Sequence, residues 1–230
     1  MTTDVPQIVA RDLVKTYTLG GSVIGALQGV SVEVPRGEYL AVTGPSGSGK
    51  STFMHLIGAL DTPTSGSLNI EGRELEGLSS DQLAAYRNEK IGFVFQTFNL
   101  LARTSALDNV VLPRLYSRHG HAGAHDKAKE CLAKVGLAHS EDHQPSELSG
   151  GQQQRVGIAR ALVTEPALIL ADEPTGNLDS HSGAEVLSLF KDLHALGRTI
   201  VLITHDVEVA TAADRAVHIR DGRLQEVAPV

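Results

Sequence analysis

The stretch that decides the fold of this chain is Gly44-Pro45-Ser46-Gly47-Ser48-Gly49-Lys50-Ser51. It fits the pattern G-x-x-x-x-G-K-S/T, which is typical of a phosphate-binding loop. The apolar segment 39–43 before the loop predicts a strand, and residues 52–60 after it predict a buried helix. A strand, a glycine-rich loop and a helix in this order are the context that the motif requires, so the stretch is a candidate triphosphate site.

The residue types in this loop explain the expected chemistry. Gly44, Gly47 and Gly49 allow backbone conformations that side chains exclude, so consecutive N–H groups can face a ligand. The positive end of the following helix dipole lies at the same place and favours an anion. Lys50 supplies a positive charge for the outer phosphates, and the hydroxyl of Ser51 is a candidate Mg²⁺ ligand. A flexible glycine-rich turn is the alternative explanation of the pattern alone.

Composition limits the classes of function. The chain has 230 residues, of which 41% are hydrophobic and 20% charged, as expected of one globular domain with a sizeable core. The net charge of −7 argues against wholesale nucleic-acid binding and against electrostatic attachment to an anionic membrane. The single cysteine excludes an intrachain disulfide and fits a reducing compartment. Because no apolar run approaches about 20 residues and no signal-peptide pattern is present, we expect a soluble, cytoplasmic chain.

Strand and helix patterns alternate along the chain, which predicts an α/β fold. Helical character is expected throughout 97–160, and Gly197 is a stop signal for the last long helix. Asp221-Gly222 between two short strands is a strong hairpin signal. The expected strands are 8–17, 26–34, 39–43, 67–70, 91–95, 167–171, 199–204, 216–220 and 223–227, and the expected helices are 52–60, 106–112, 126–135, about 149–164 and 182–196.

Two acidic residues, Asp172 and Glu173, follow the apolar run 168–171. Ligands of open α/β sheets bind at the carboxyl ends of the strands, so we expect this pair at the phosphate site. Asp172 would hold Mg²⁺, directly or through water. Glu173 would reach an attacking water, mainly to orient it, because a free glutamate with a pKa of about 4.3 is a weak base at neutral pH. A pair of surface acids is the alternative.

A second helix end that suits an anion is predicted at Leu148-Ser149-Gly150-Gly151-Gln152. Ser149 is an N-cap candidate, and the glycines after it expose N–H groups at the start of a helix. One domain does not obviously need two such helix ends. A head-to-tail dimer, in which the phosphate loop of one copy faces this helix end of the other, would use both.

Three histidines, His119, His121 and His125, lie in a glycine-rich stretch between two expected helices. Such a cluster can bind a metal ion. No acidic or cysteine ligand lies at a convincing spacing, so we expect a solvated loop there and no metal site.

The pentapeptide 148–152, together with the phosphate loop, resembles the nucleotide-binding subunits of ABC transporters, and the resemblance covers essentially the whole chain. It implies an α/β fold: a P-loop NTPase (RecA-like) core, an N-terminal antiparallel β subdomain and an inserted α-helical subdomain. We expect a single domain, 1–230, in which about 1–96 and 161–230 form the β subdomain and the core. About 97–160 would form the helical subdomain with the pentapeptide.

The resemblance also implies a role for each site residue. Tyr17 looks like the aromatic residue that stacks on adenine, and Gln96 like the glutamine that senses Mg²⁺ and links to the membrane partner. Asp179, in the segment 177–179, looks like part of the link between the two sites of a dimer. His205 looks like the switch histidine that contacts the γ-phosphate. The expected catalytic residues are Lys50, Glu173 and His205; the expected Mg²⁺ ligands are Ser51, Gln96 and Asp172; the expected ATP contacts are Tyr17, Gly44, Pro45, Ser46, Gly47, Ser48, Gly49, Lys50, Ser51, Thr52, Gln96, Ser149, Gly150, Gly151, Gln152 and Asp179.

The implied function is that of an ATPase subunit that closes as an ATP-sandwiched homodimer. It would power export or periplasmic force transmission through separate transmembrane permease subunits, at the inner face of the cell membrane. The segments 58–61, 96–101 and 108–110 look like those of the branch that contains MacB, LolD and FtsE, whose permeases often have an extracytoplasmic domain. Partner contacts are expected near 98–101, unless these residues pack inside the helical subdomain.

Two other functions are compatible with an ATP-binding cassette. A soluble, non-transport ABC ATPase of DNA repair or translation usually carries large insertions between these motifs, and here there is room for about one small helical subdomain. An inactive structural adaptor is opposed by the complete set of catalytic residue types.

Overall fold

The computed structural model describes residues 5–118 and 122–226, which form one α/β unit. The strands in these ranges are β1 (Ile8–Leu19), β2 (Ser22–Val34), β3 (Tyr39–Thr43), β4 (Ser65–Ile70), β5 (Arg73–Glu74), β6 (Ile91–Val94), β7 (Leu168–Asp172), β8 (Thr199–Ile203), β9 (Arg215–Arg220) and β10 (Arg223–Glu226). The helices are α1 (Lys50–Ile57), α2 (Ser80–Lys90), α3 (Ala106–Leu115), α4 (Ala124–Lys134), α5 (Gly150–Leu162), α6 (Ser180–Ala195) and α7 (Val207–Ala210).

A six-stranded sheet with the order β10-β9-β3-β8-β7-β6 forms the centre of the fold. The five strands from β9 to β6 run parallel, and β10 pairs antiparallel with β9. Helices cover both faces of such a sheet, so its inner strands are apolar along their whole length. Strands β3, β7 and β8 are buried accordingly, which confirms the strands expected from the apolar runs.

A second sheet, with the order β2-β1-β4-β5, is antiparallel throughout. Its inner face shares a core with α1 and one face of the central sheet, where Leu13, Leu27 and Phe53 are fully buried. A separate core on the other face of the central sheet joins it to α3, α4, α5 and α6, around Val156 and Phe190. Truncating a fully buried phenylalanine such as Phe53 or Phe190 to alanine is expected to cost about 3–5 kcal/mol of stability.

Several expected elements are present with small shifts at their ends. Gly197 follows α6 with a φ of 82°, and the turn at Asp221 and Gly222 joins β9 to β10 with φ values of 50° and 73°. The first two strands are longer than expected. Gly20 and Gly21, with φ values of 56° and 84°, make a tight hairpin turn between them instead of a gap.

Helix α2 is an element that the apolar pattern did not predict. Within it only Tyr86 is buried, so the helix has no apolar stripe that periodicity could detect. Its start is marked instead by a capping box, in which Ser79 accepts from the N–H of Gln82 and the Gln82 side chain accepts from the N–H of Ser79. None of the helices described here is long and apolar enough to cross a membrane.

Candidate functional site

The carboxyl ends of four neighbouring parallel strands, β3, β8, β7 and β6, form the candidate site. Strand β3 leads into the phosphate loop, and β8 leads into His205. Strand β7 ends in Asp172 with Glu173 next to it, and β6 leads into Gln96. Residues far apart in the sequence therefore reach the one sheet edge where ligands of open α/β sheets bind.

The phosphate loop joins β3 to α1 in a conformation that requires glycine at two positions. Gly44 has a φ of 143°, and a Cβ there would lie 2.1 Å from the carbonyl oxygen of Ile219. Gly49 has a φ of 110°, and a Cβ there would lie 2.5 Å from the carbonyl oxygen of Ala26. The loop is thus seated against β9 and β2, and neither glycine tolerates a side chain.

Lys50 folds back over this loop instead of extending into solvent. Its Nζ donates to the carbonyl oxygens of Gly44 and Pro45, at 2.7 and 2.9 Å, and the residue is buried. Helix α1 begins after left-handed Gly49, and no side chain caps its first turn. A fixed positive charge and an uncapped helix N-terminus therefore coincide, and both favour an anion.

The remaining loop residues differ in exposure. Ser46 and Gly47 are exposed at the tip, with Pro45 before them, while Ser48 is buried. The Oγ atom of Ser48 has no hydrogen-bond partner among the described residues. Ser51 and Thr52 stand in the first turn of α1, where Ser51 is exposed.

Asp172 lies at the end of β7, half-buried beside two charged groups. Burial raises the pKa of its carboxyl group, and the negative charge of Glu173 raises it further. The nearby side chains of His55 and Lys50 act in the opposite direction. A buried carboxylate with a raised pKa gains most from a bound cation, so the position suits a divalent metal ion.

Glu173 is held by two residues that follow β8. Its Oε1 lies 2.7 Å from Nδ1 of His205, and its Oε2 accepts a hydrogen bond of 3.3 Å from the Thr204 hydroxyl. Glu173 itself has a φ of 45°, in the left-handed region that non-glycine residues adopt rarely. The fold thus brings two of the expected catalytic residues into contact. Thr204 was not anticipated, although it directly precedes His205.

Gln96 is fixed by the segment that precedes α6. The Asn177 amide donates to the carbonyl oxygen of Gln96 at 3.0 Å, and the Gln96 amide donates to Oδ1 of Asn177 at 3.4 Å. A Cβ on Gly176 would lie 2.6 Å from Nε2 of Gln96. The Gln96 side chain therefore lies close to Gly176, and its hydrogen bonds with Asn177 couple it to the segment 177–179.

Tyr17 lies on β1 with its ring partly exposed. Its hydroxyl donates to Oδ2 of Asp61 at 2.9 Å, and Nζ of Lys15 lies 5.0 Å from the ring centroid. Partial burial and the hydrogen bond to Asp61 both raise the pKa of the Tyr17 hydroxyl, while the Thr52 side chain lowers it. The contacts of Lys15 and Asp61 with Tyr17 were not anticipated, because the Tyr17–Asp61 contact joins positions 44 residues apart.

The second glycine-rich helix end is the start of α5, and its predicted N-cap is confirmed. Ser149 accepts from the N–H of Gln152, and the Gln152 side chain accepts from the N–H of Ser149. A Cβ on Gly151 would lie 2.9 Å from Cβ of Ser182 in α6. No hydrogen bond or ion pair among the described residues joins 149–152 to the phosphate loop of the same chain.

Asp179 caps the neighbouring helix α6. Its Oδ1 accepts from the N–H of Ser182, and its Oδ2 accepts from the Ser182 hydroxyl, at 2.9 and 2.8 Å. Hydrogen bonds from Ser182 hold the pKa of this carboxyl group below its usual value. The start of α6 therefore contacts Gly151 through Ser182 and is capped by Asp179.

Of the three histidines between α3 and α4, His119 and His121 lie outside the described residues. Nε2 of His125 lies 3.7 Å from Oδ1 of Asp108, and both side chains are exposed. No group of three potential metal-binding side chains occurs in the ranges 5–118 and 122–226.

A groove of about 830 Å³ lies beside Gln96, between the central sheet, α2 and the helices that follow. Its floor is apolar, with Phe93 and Phe95, which stack with centroids 5.6 Å apart. Arg160 lies on one wall and donates to the carbonyl oxygens of Asn99 and Phe98. Of the segment 98–101, Leu101 is 50% exposed, whereas Leu100 packs against the core.

Comparison with known proteins gives consistent matches. The family described as ABC transporter matches residues 27–176. The chain is 51% identical over 216 residues to an uncharacterized ABC transporter ATP-binding protein of Thermotoga maritima, covering 94% of this chain and 92% of that protein. It is 49% identical over 211 residues to a macrolide export ATP-binding/permease protein, MacB, of Bdellovibrio bacteriovorus. That alignment covers 92% of this chain but 32% of the relative, so the chain spans about a third of MacB.

Solved structures agree with the sequence relatives. The dimeric ATP-binding cassette MJ0796, in a post-hydrolysis state with ADP and Pi, is 41% identical and superposes with a TM-score of 0.87 over 96% of this chain and 99% of that chain. The cassette cbiO1 of Clostridium perfringens, part of an ABC transporter complex, is 28% identical with a TM-score of 0.85, over 96% of this chain and 87% of that one. The P-loop NTPase fold and the resemblance to the MacB branch are thereby confirmed, and the chain belongs to the ABC transporter family as an ATP-binding cassette.

Proposed function

We propose that this chain is the ATP-hydrolysing subunit of an ABC transporter and powers export or periplasmic force transmission through separate membrane subunits. One observation carries the proposal: four neighbouring parallel strands deliver the phosphate loop, His205, the Asp172–Glu173 pair and Gln96 to one sheet edge. A soluble ATPase of DNA repair or translation is not favoured, because the relatives found are transporter components.

ATP would bind with its phosphates in the loop 44–51. The N–H groups of Ser46 to Thr52 and the Lys50 ammonium would contact the phosphate oxygens, which would replace the two carbonyl oxygens that now hold Lys50. The Tyr17 ring would stack on adenine. The hydroxyl of Tyr17 interacts with Thr52, so the proposed base contact and the phosphate loop are neighbours.

Mg²⁺ would be held at the same edge by Ser51, Asp172 and Gln96. These oxygen donors are the type that the ion prefers, and Mg²⁺ would supply positive charge that neutralises the outer phosphates. Because the pKa of Asp172 is raised in the metal-free protein, acidification protonates it more readily than a free aspartate. We therefore expect the Mg²⁺ concentration that half-saturates turnover to rise as the pH is lowered toward the pKa of this carboxyl group, and the rise to begin at a higher pH than an unshifted aspartate would give.

Glu173 would orient the attacking water, and His205 would contact the γ-phosphate. The side chain of Glu173 is 16% exposed and that of His205 is 69% exposed, so the pair has one partner anchored in the protein and one facing solvent. His205 can leave the carboxylate for the γ-phosphate without disturbing the core. Thr204 would keep Glu173 in place during that exchange.

Each complete site would need a second copy of the chain. Within the ranges that the structure describes, no hydrogen bond or ion pair joins Ser149, Gly150, Gly151 or Gln152 to the phosphate loop of the same chain. These four residues would contact the ATP held by the partner. Asp179, joined to Gly151 through Ser182, would connect the two sites. The dimeric state of MJ0796 supports this arrangement. ATP would stabilise the closed dimer, and hydrolysis would release it.

The residues from about 97 to 160 would act as a helical subdomain that connects the site to a permease with an extracytoplasmic domain. The groove beside Gln96 would receive a segment of that permease, which would hold the chain at the inner face of the cell membrane. The apolar floor and the exposed Leu101 support this, as does the bond between Arg160 and the carbonyl oxygens of 98 and 99. No nucleic-acid partner is proposed for this acidic chain.

ATP hydrolysis by the purified chain tests the catalytic part of the proposal. We expect Glu173→Gln to lower turnover about 100-fold or more while ATP binding is retained. Glu185→Gln is the matched control, since Glu185 pairs with Arg155 on the surface of α6. A Glu173→Gln variant that hydrolyses ATP at the parent rate would remove Glu173 from the mechanism.

Co-purification of this chain with proteins from native membranes tests whether its partner is a membrane protein. We expect Glu173→Gln with Mg-ATP to recover a multi-span membrane protein, and Ala84→Arg, which places a large charge in the groove, to abolish the recovery. Ala133→Arg is the control, because Ala133 is exposed on α4 outside the groove. Recovery of soluble proteins or nucleic acid alone would instead support a non-transport ATPase.

A further inference from the structure

Three side chains at the end of β1 and after α1 form a closed set of contacts, which we call the ring-holding cluster: Lys15, Tyr17 and Asp61. The two oxygens of Asp61 are shared between the other two residues. Oδ1 accepts from Nζ of Lys15 at 2.6 Å, and Oδ2 accepts from the Tyr17 hydroxyl at 2.9 Å. The Lys15 ammonium in turn lies over the Tyr17 ring, 5.0 Å from its centroid. Each member therefore contacts both of the others.

The cluster is anchored to the backbone on the side of Asp61. After α1 the chain turns back at Ala59, which has a φ of 53°, and the N–H of Asp61 donates to the carbonyl oxygen of His55. Oδ1 of Asp61 also accepts from the N–H of Thr62, and Lys15 donates to the carbonyl oxygen of Thr62. The carboxylate thus has one fixed position, set by the turn that follows the phosphate-loop helix.

The charges within the cluster are consistent with this arrangement. Burial alone would raise the pKa of the Asp61 carboxyl group, but hydrogen bonds from Lys15, the Thr62 N–H and Tyr17 outweigh it and lower the pKa. The pKa of Tyr17 is raised, by burial first and then by Asp61. At neutral pH the carboxylate is therefore charged and the phenol protonated, so the hydroxyl is the donor in their bond.

We propose that Asp61 is a positioning residue for nucleotide recognition: with Lys15 it fixes the Tyr17 ring beside the phosphate loop, so that one ring face is covered by the ammonium and the other receives the base. The proposal rests on the stacking role given to Tyr17 above. Fixing the ring before binding removes part of the entropy cost of ordering it. The cation over one face also holds the ring against its own strand.

The cluster acts on the base and not on the phosphates, which gives a readout that a general loss of structure would not reproduce. The affinities of ATP and of inorganic tripolyphosphate are measured on the same variants by calorimetry. We expect Asp61→Leu to weaken ATP about threefold to tenfold, because the gain from an oriented aromatic contact is of this size. Tripolyphosphate affinity is expected to change by less than about twofold, since the loop itself is untouched.

A double-mutant cycle shows whether Asp61 acts through the Tyr17 hydroxyl. Tyr17→Phe keeps the ring and removes the hydroxyl, so it should weaken ATP as Asp61→Leu does. The double variant should be no weaker than the Asp61→Leu single variant, because Asp61→Leu already removes the contact that Tyr17→Phe removes. Asp61→Asn still accepts from the hydroxyl and should restore part of the ATP affinity. It also serves as the test variant if Asp61→Leu does not fold.

Additive losses in the cycle, or equal losses for ATP and tripolyphosphate, would overturn the positioning role of Asp61. Asp12→Asn is the matched control. Asp12 lies on β1, as Tyr17 does, and its carboxylate also accepts a hydrogen bond from a hydroxyl, that of Ser31 on β2. Tyr17→Ala separates this inference from the proposed function. If Tyr17→Ala leaves ATP affinity unchanged, the stacking role itself is wrong; if it weakens ATP while Asp61→Leu and Asp61→Asn do not, only the positioning role is wrong.

Discussion

Helices α1 and α5 both begin beside glycines, but their first turns are satisfied in different ways. Helix α1 starts after left-handed Gly49, no side chain caps it, and the buried Lys50 ammonium lies over the loop before it. Helix α5 starts after Ser149 in an extended conformation, with a reciprocal capping box to Gln152. One helix end carries a built-in positive charge, and the other is closed by its own side chains.

The difference indicates what each helix end can do within a single chain. The α1 end brings together the loop, Lys50 and the acidic pair, so one copy already contains the groups that we propose to hold phosphates and metal. The α5 end has only N–H groups and a hydroxyl, with no charged side chain in its first turn. An isolated helix end of this kind adds a modest attraction, so in the proposed composite site it would act on an anion bound by a second copy.

Loss of the charge at α1 should give the largest effect. We expect Lys50→Ala to weaken ATP binding about 100-fold or more, because a buried, hydrogen-bonded cation is removed from the anion site. Calorimetry with ATP measures this directly. Lys90→Ala is the control, since Lys90 pairs with Glu71 and Glu89 at the surface. Normal turnover by Lys50→Ala would contradict the assignment of the loop.

A side chain at the α5 end should affect turnover but not ATP binding by one copy. In Gly151→Ala the new Cβ would lie 2.9 Å from Cβ of Ser182, so α5 and α6 must shift. We expect turnover to fall about tenfold to 100-fold from this misplacement, with ATP affinity of the monomer unchanged. The control is Gly157→Ala in the same helix, where the nearest atoms are 3.8 Å away. Equal turnover in both variants would count against a role for this end.

The smallest effect is expected from removing the cap itself, and the chain offers a matched pair. Ser149 and Ser79 make the same capping box, on α5 and α2 respectively. We expect Ser149→Ala and Ser79→Ala each to cost about 1 kcal/mol in the free energy of unfolding, measured with urea. Only Ser149→Ala should also reduce turnover, since Ser79 is not among the residues proposed to contact ATP or Mg²⁺. If Ser79→Ala lost turnover as well, the loss of turnover in Ser149→Ala would be explained by its lower stability alone.

Sequence patterns were sufficient where a single segment carries the information. The phosphate loop, the strand before Asp172, the Ser149 cap and the hairpin at Asp221 are each specified by a few consecutive residues, and the structure has all four as described. Helix α2 was not predicted, because it has too few apolar residues to give a periodic signal. The residues of its capping box, Ser79 and Gln82, were nevertheless visible in the sequence.

Contacts between distant segments could not be predicted in the same way. Asn177 holds Gln96 across 81 residues, and Asp61 holds Tyr17 across 44. No local pattern specifies such a pair, because the partners meet only after the sheets have formed and the turn at Ala59 has brought Asp61 back. The contact between Glu173 and His205 has the same origin, since β7 and β8 are neighbours in the sheet but not in the sequence.

The division of the site between two copies is tested most directly by the mass of the Glu173→Gln protein in solution with Mg-ATP, with and without Ser149→Arg. Light scattering gives the mass, and calorimetry confirms ATP binding by both proteins. We predict that Glu173→Gln doubles its mass from the 24.4 kDa of one chain, whereas Glu173→Gln with Ser149→Arg binds ATP and stays at 24.4 kDa. A doubled mass for the variant that carries Ser149→Arg, or a Glu173→Gln protein that binds ATP and remains a monomer, would contradict the composite site.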